Sequence, residues 1–247
     1  MQPVNDRASV MVQVTMRALV LVTLSVSVAA AQPKTTGSVR GTVLFEGEPP
    51  TQPVLKRDSD QKCSKGKTDE AVVVNKGKLR DVVVRIKNGS AGKHAAPSTP
   101  VLIDQRDCMY TPRVVGIVAG QKLLVRNSDN TFHNVWGVLA SKDLFNKPQS
   151  PKAADLTLDP SAAKTGDVVE LKCGAHAWMH AYVAVQDHPF FSVTNSEGVF
   201  EIKGLPQGTY TLEAWHPTLG TKSMTVVIGK NKRADVTARF SYKQTEL

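Results

Sequence analysis

Three cysteines in 247 residues are too few for a disulfide-dense miniature scaffold. Beyond the N-terminus no run of about 20 apolar residues occurs, which excludes a polytopic helical membrane protein. The chain lacks a glycine-rich phosphate loop, a G-x-S-x-G elbow, an H-E-x-x-H helix and a clear carboxylate pair, so no enzyme signature stands out. Nor does a long helical period appear. Acidic residues are in the minority, 22 against 31 basic ones, for a net charge of +9. The basic residues are scattered, apart from Lys230-Asn231-Lys232-Arg233. Without aromatic side chains interleaved among them they make no nucleic-acid groove. The surplus charge favours acidic partners or an anionic surface instead.

What is there is enough for a core: 41% of the residues are hydrophobic, and the length allows one or two domains at roughly 150 residues each. The N-terminus reads as an address. Arg7 and Arg17 precede an apolar stretch over residues 18–30, and Ala29-Ala30-Ala31 offers a cleavable small-residue site. Residues 1–31 are therefore expected to be an export signal, with Gln32 opening the mature chain. No cysteine stands at that point to carry a lipid. Export places the protein in the periplasm or outside the cell, where disulfides persist. No membrane span is expected once the signal is removed.

The body reads as all-β. Short β-branched runs fall at residues 38–45, 71–75, 81–87, 113–118, 122–126, 167–172, 181–186, 190–194, 199–202, 209–214, 221–228 and 234–240. Asn75-Lys76-Gly77-Lys78 and Asn195-Ser196-Glu197-Gly198 carry hairpin chemistry. Regular strand spacing between turn signals indicates a sandwich or barrel. Two stretches, 91–100 and 141–163, read as irregular loops.

A composition break falls near Asp187-His188-Pro189. After it, Thr194, Gly198, Phe200, Ile202, Gly204-Leu205-Pro206, Gly208 and Tyr210 match the pattern T-x(3)-G-x-F-x-I-x-G-L-P-x-G-x-Y. This resembles the carboxypeptidase regulatory-like β-sandwich, a prealbumin-like module. Sixty residues are few for an independent sandwich. The module's opening strand has the form G-x-V-x-G-x-V, present at Gly37, Val39, Gly41 and Val43. The expected organisation is a sandwich at 188–247, completed by strand 37–45, beside a domain at 32–187 with its core at 96–187.

Two segments carry chemistry. One is Asn127-Ser-Asp-Asn-Thr-Phe-His133-Asn134-Val135-Trp136; the other is Cys173-Gly-Ala-His176-Ala-Trp-Met179, after the strand at 168–172. A thiolate, two imidazoles and a thioether form a soft donor set, which selects copper over oxygen-preferring ions. The spacing C-x2-H-x2-M puts three donors on one loop, and His133 arrives from another. That is the His2Cys plan with a weak axial Met, used for electron transfer. Cysteine arithmetic bears on it: a Cys63–Cys108 bridge would leave Cys173 as a free thiol, whereas a Cys108–Cys173 bridge would consume the ligand. A zinc reading from His176 and His180 at i, i+4 needs a helix, which Gly174 and the preceding strand disfavour.

On these residues, with Tyr110-Thr-Pro-Arg-Val-Val and the strand Gly120-Gln-Lys-Leu-Leu-Val-Arg-Asn127, the region 96–187 resembles the cupredoxins, amicyanin-like proteins above all. The resemblance implies a Greek-key β-sandwich holding one type 1 copper. His133, Cys173 and His176 would be the strong ligands and Met179 the axial one. Asn134 would tie the two ligand loops together beside the thiolate. His176 would be the partly exposed electron exit, with Trp178 and Trp136 as its apolar rim. His180 can compete as a ligand. The implied role is single-electron transport with a redox protein, a cytochrome or dehydrogenase, as partner. Two other roles remain open: copper buffering or delivery, and a secreted binding module with a degenerate metal site.

Overall fold

A computed structural model describes residues 36–88, 94–160, 162–229 and 236–246. The expected export signal at 1–31 and the basic cluster at 230–233 lie outside the described residues. The structure is all-β. In chain order its strands are β1 (Thr36–Glu46), β2 (Val74–Asn75), β3 (Lys78–Leu79), β4 (Val83–Asn88), β5 (Val101–Arg106), β6 (Met109–Thr111), β7 (Val114–Val118), β8 (Leu123–Asn127) and β9 (His133–Leu139). They continue with β10 (Lys142–Gln149), β11 (Leu156–Leu158), β12 (Val168–Lys172), β13 (His180–Gln186), β14 (Phe191–Val193), β15 (Val199–Pro206), β16 (Gly208–His216), β17 (Gly220–Ile228) and β18 (Val236–Lys243). Among the described residues no helix is long and apolar enough to cross a membrane.

The strands make four sheets. The first runs β15-β1-β3-β2, with β18 also paired to β1; the second runs β14-β4-β16-β17. Between them lies a core built on Val39, Val43, Leu79, Ile86, Phe200, Ile202, Tyr210 and Phe240. The third sheet runs β10-β9-β12-β13-β7 and the fourth β11-β8-β5-β6. They enclose a second core with Ile103, Ile117, Val125, Val135, Leu171 and Val183. A small junction of Val83, Val114 and Ala184, flanked by Trp215 and Tyr182, joins the second sheet to the third.

Local chemistry explains the pairings. Strand alternation sends every second side chain inward, as the burial of Leu123, Val125 and Asn127 along β8 shows. The unbroken run Val82-Val83-Val84 is buried on both sides: Val82 and Val84 enter the first core, Val83 the junction. Lys76 and Gly77 both take positive φ, 48° and 75°, in the two-residue turn that pairs Asn75 with Lys78. Gly41 is a matter of space: a Cβ there would stand 2.1 Å from the Ala238 carbonyl and 2.5 Å from the Phe200 ring. Only bare backbone lets β1 run against both β18 and β15.

Three differences from the sequence reading follow. Residues 74–88, counted there within 32–187, lie in the first two sheets, where Leu79 and Ile86 enter the first core. The stretch 141–163 is not one irregular loop but holds β10 and β11, paired to β9 and β8. β10 is an edge strand with mostly exposed or half-exposed residues, so it has no apolar alternation to read. β5 also forms at 101–106, parallel to β8, and β9 at 133–139.

Candidate metal centre

β9 and β12 are antiparallel neighbours with Lys172 opposite Trp136 and Leu171 opposite Gly137. That register brings the start of β9 beside the end of β12. His133 shares the inward face with Val135, and Cys173 follows two residues after the buried Leu171. Beyond Cys173 the chain turns; the Met179 N–H donates to the His176 carbonyl at 3.0 Å before β13 begins. Tyr110, buried on β6, donates its hydroxyl to the Lys172 carbonyl at 3.0 Å and the Asn134 carbonyl at 3.3 Å, tying the two strand ends.

Three donor atoms converge there. His133 Nδ1 and His176 Nδ1 are 3.0 Å apart, and each is 3.8 Å from Cys173 Sγ. All three residues are buried. A point equidistant from the corners of that triangle lies about 2.1 Å from each, within the range of about 2.0–2.3 Å that nitrogen and sulfur ligands keep to a first-row ion. Met179 is fully buried in the same core as Cys173. Cys173 is a free thiol, because Cys63 and Cys108 form the disulfide. With its ends separated by 45 positions, that bridge is worth about 4 kcal/mol in the chain-entropy model.

Both imidazoles turn their other nitrogen to a carboxylate. His133 Nε2 lies 2.9 Å from Asp129 Oδ2, and His176 Nε2 3.1 Å from Asp60 Oδ2. An Nε2–H donated to a carboxylate leaves the Nδ1 lone pair facing the thiolate, the tautomer a metal requires. Asp129 is held in turn by the backbone N–H groups of Asp107 and Cys108 at 2.6 and 2.9 Å. Asp60 accepts from the Thr131 hydroxyl and from the Lys62 N–H. Asn134 bridges the ligand loops: its Oδ1 accepts from the Gly174 N–H at 2.6 Å and stands 3.6 Å from Cys173 Sγ. Its amide donates to Asn146 Oδ1 at 2.7 Å.

The electrostatics suit a proton-for-metal exchange. Burial works against a charged His133 ring, but the bonds and charges of Asp129 and Cys173 outweigh it and push the imidazole up to about 9. Burial also raises the Cys173 thiol, yet bonds from His133 and from the backbone of Asn134, Ala175 and His176 pull it below its ordinary value. Burial, the charge of His133 and that of Arg57 depress His176 in spite of Asp60. Asp60 is lowered to about 2 by its bonds from Thr131 and Lys62. The raised His133 imidazole and the lowered Cys173 thiol face each other, so a soft cation that takes both donors competes with protons there.

Several expectations change. His176 is not a partly exposed exit: it is 3% exposed, covered by Asp60 and the loop around it. Trp178 does lie against it, with ring centroids 5.1 Å apart, and donates its N–H to the Cys108 carbonyl at 2.9 Å. Trp136 instead sits on the other face of β9, bonded to Asp143, with Lys172 above its ring. His180 is turned away from the thiolate; Glu170 and the Ala177 carbonyl engage its nitrogens at 2.9 and 3.0 Å. The sequence reading missed both carboxylates. Asp129 stood within the quoted segment, four residues before His133. Asp60 lies 116 residues from His176 and carried no signal.

No protein-family model and no curated protein matches the chain. Among solved structures, a purple cupredoxin from Nitrosopumilus maritimus matches at 21% identity, covering 35% of this chain and 99% of that one, with a TM-score of 0.31. Amicyanin from Paracoccus versutus matches at 18% identity over 42% of this chain and 97% of its own, TM-score 0.31. A copper-containing nitrite reductase from Thermus scotoductus matches at 18% identity over 40% of this chain and 25% of its own, TM-score 0.32.

Proposed function

We propose that the protein is an exported type 1 copper protein that carries single electrons between redox partners. His133, Cys173 and His176 would hold the metal, with Met179, buried in the same core, as a further soft donor. The observation that carries this reading is the buried triangle of two imidazole nitrogens and one free thiol, with both far nitrogens on carboxylates. Copper, when bound, supplies a one-electron couple between its +1 and +2 states.

The chain's own part is to keep the donors still. The Asn134 bonds, the Tyr110 hydroxyl and the two carboxylates hold the same geometry in either state, so little reorganisation accompanies transfer. Burial keeps bulk water from His133, Cys173 and Met179. Four protein ligands leave no open position for a substrate, which favours electron transport over an enzymatic role. Enclosure of the donors also favours retention of the metal over its delivery. With the His176 edge covered, the Trp178 ring that lies tilted against it is the route outward. In this reading the copper domain has its core at 96–187 and is inserted between strands of a regulatory-like sandwich. The net charge of +9 suits an acidic surface on a cytochrome or dehydrogenase partner. A periplasmic or secreted location fits the disulfide.

The test is the visible and electron-paramagnetic spectrum of the mature chain after Cu(II) is added. The expected result is an intense thiolate-to-copper band with narrow hyperfine splitting, lost in Cys173→Ser. In Met179→Leu the copper stays and the reduction potential rises. A colourless wild type, or a band that survives Cys173→Ser, overturns the reading.

A further inference from the structure

Residues 55–67 form a strap between β1 and β2. Its ends are drawn together by the Val54–Thr68 bridge and the bond from the Leu55 N–H to the Lys67 carbonyl at 2.8 Å. Within it only Arg57 and Cys63 are buried, and most of the rest is exposed. A loop without an apolar face has little to hold it against a protein surface. This one is pinned at the metal centre. Arg57 lies over the Trp178 ring at 5.6 Å and donates to the Asp107 and Ser64 carbonyls. Ser64 bonds the Asp107 carboxylate through its N–H at 2.9 Å and its hydroxyl at 2.7 Å. Cys63 is bridged to Cys108, and the two sulfurs and a ring nitrogen of His176 lie within 4.8 Å of one another. Three residues before Cys63, Asp60 reaches His176 Nε2.

We propose that Asp60 is the positioning residue for His176, and that the Cys63–Cys108 disulfide keeps it in place. The inference rests on the copper reading. Asp60 takes the Nε2–H, so the ring cannot turn that nitrogen to the thiolate or offer it to water, and Nδ1 stays aimed at Cys173. Its own bonds from Thr131 and Lys62 leave the carboxylate one orientation. Outer carboxylates of this kind typically contribute 10–100-fold in metal affinity. The disulfide's share is conformational: it anchors the strap three residues from Asp60, and opened, it loosens the turn that presents the carboxylate to His176. The disulfide and the carboxylate therefore act through the same contact.

The experiment is a double-mutant cycle on the mature full-length chain. Affinity for Co(II), chosen because it is not reduced by thiols, is measured by chelator competition. The probes are Asp60→Asn, Cys63→Ser/Cys108→Ser, and the three substitutions together. Asp60→Asn should lose about 10–100-fold, the disulfide-free variant should lose a similar factor, and the combination should lose no more. The copper form of Asp60→Asn should also show a raised reduction potential, because a negative charge that favours the higher oxidation state is gone. A merely structural loop residue would not move that potential. If the cysteine variant does not fold, phosphine reduction of the bridge in the Co(II) protein replaces it, with the same expectation. Wild-type affinity and potential in Asp60→Asn overturn the proposal. Losses that multiply overturn it too, since the disulfide then acts without Asp60. A wild type that binds Co(II) without a thiolate band instead defeats the copper reading, and the inference with it.

Discussion

Asn134→Ala is the sharpest single perturbation of the ligand geometry that leaves every donor in place. The side chain makes two strong bonds, accepting from Gly174 N–H at 2.6 Å and donating to Asn146 Oδ1 at 2.7 Å, and it stands 3.6 Å from the thiol sulfur. Gly174 is exposed, so its orphaned N–H finds water and the loss per bond is the net value of about 0.5–1.5 kcal/mol. Two bonds amount to about 1–3 kcal/mol of stability in the metal-free protein. The cost to metal binding is separate. Gly174 follows Cys173 directly, and without its anchor on β9 the loop carrying Cys173 and His176 is free to splay. A fall of about 10–100-fold in affinity is expected, equal to about 1.4–2.8 kcal/mol. Urea unfolding of the metal-free form measures the first quantity, and chelator competition with Cu(II) the second. Asn146→Ala is the control, since it removes only the distal bond and should leave affinity within a factor of three or so. An Asn134→Ala variant that is less stable yet binds copper as tightly as wild type would refute the reasoning. Asn134 would then hold strands together without holding the ligands.

Two further outcomes test the fold away from the metal. His216 is buried, and burial with the nearby Arg113 charge lowers it from 6.5 to about 3. Its neutral folded form contributes stability that is complete above pH 6.5 and lost as pH falls toward 3, at about 1.4 kcal/mol per unit. His216→Asn keeps an acceptor for the Thr218 and Leu219 N–H groups and should flatten that acid limb in urea titrations; an unchanged slope would count against it. Gly41→Ala places a Cβ against the Ala238 carbonyl, where backbone cannot yield. It should cost the upper end of about 1–3 kcal/mol, and a neutral result in denaturant unfolding would mean that β1 and β18 are not so close.

Where burial alternates or fills a strand, the chain announced its structure. Residues 38–45 and 81–87 read as strands because their apolar side chains are spent on a core, and the Asn75–Lys78 hairpin because Gly77 accepts the positive φ that the turn needs. β10 stayed hidden for the opposite reason: it faces water, and hydrogen bonds to β9 hold it without an apolar pattern. Cys173, His176 and Met179 were legible as a set because they share seven residues of one loop. His133 was legible only beside them.

Residue identity thus determined the soft donor set, the all-β class and the free thiol's dependence on how the other two cysteines pair. Identity acts over short spacings, where a loop's reach is set by its length. The tertiary structure decided the rest. It paired Cys63 with Cys108, delivered Asp60 to His176 across 116 positions and covered the imidazole that was expected to face solvent. It also turned His180 to Glu170 and not to the thiolate. These outcomes depend on which strand ends meet and which loop folds over them. Strand register and a distant disulfide set that, and neither leaves a mark on the local sequence around the ligands.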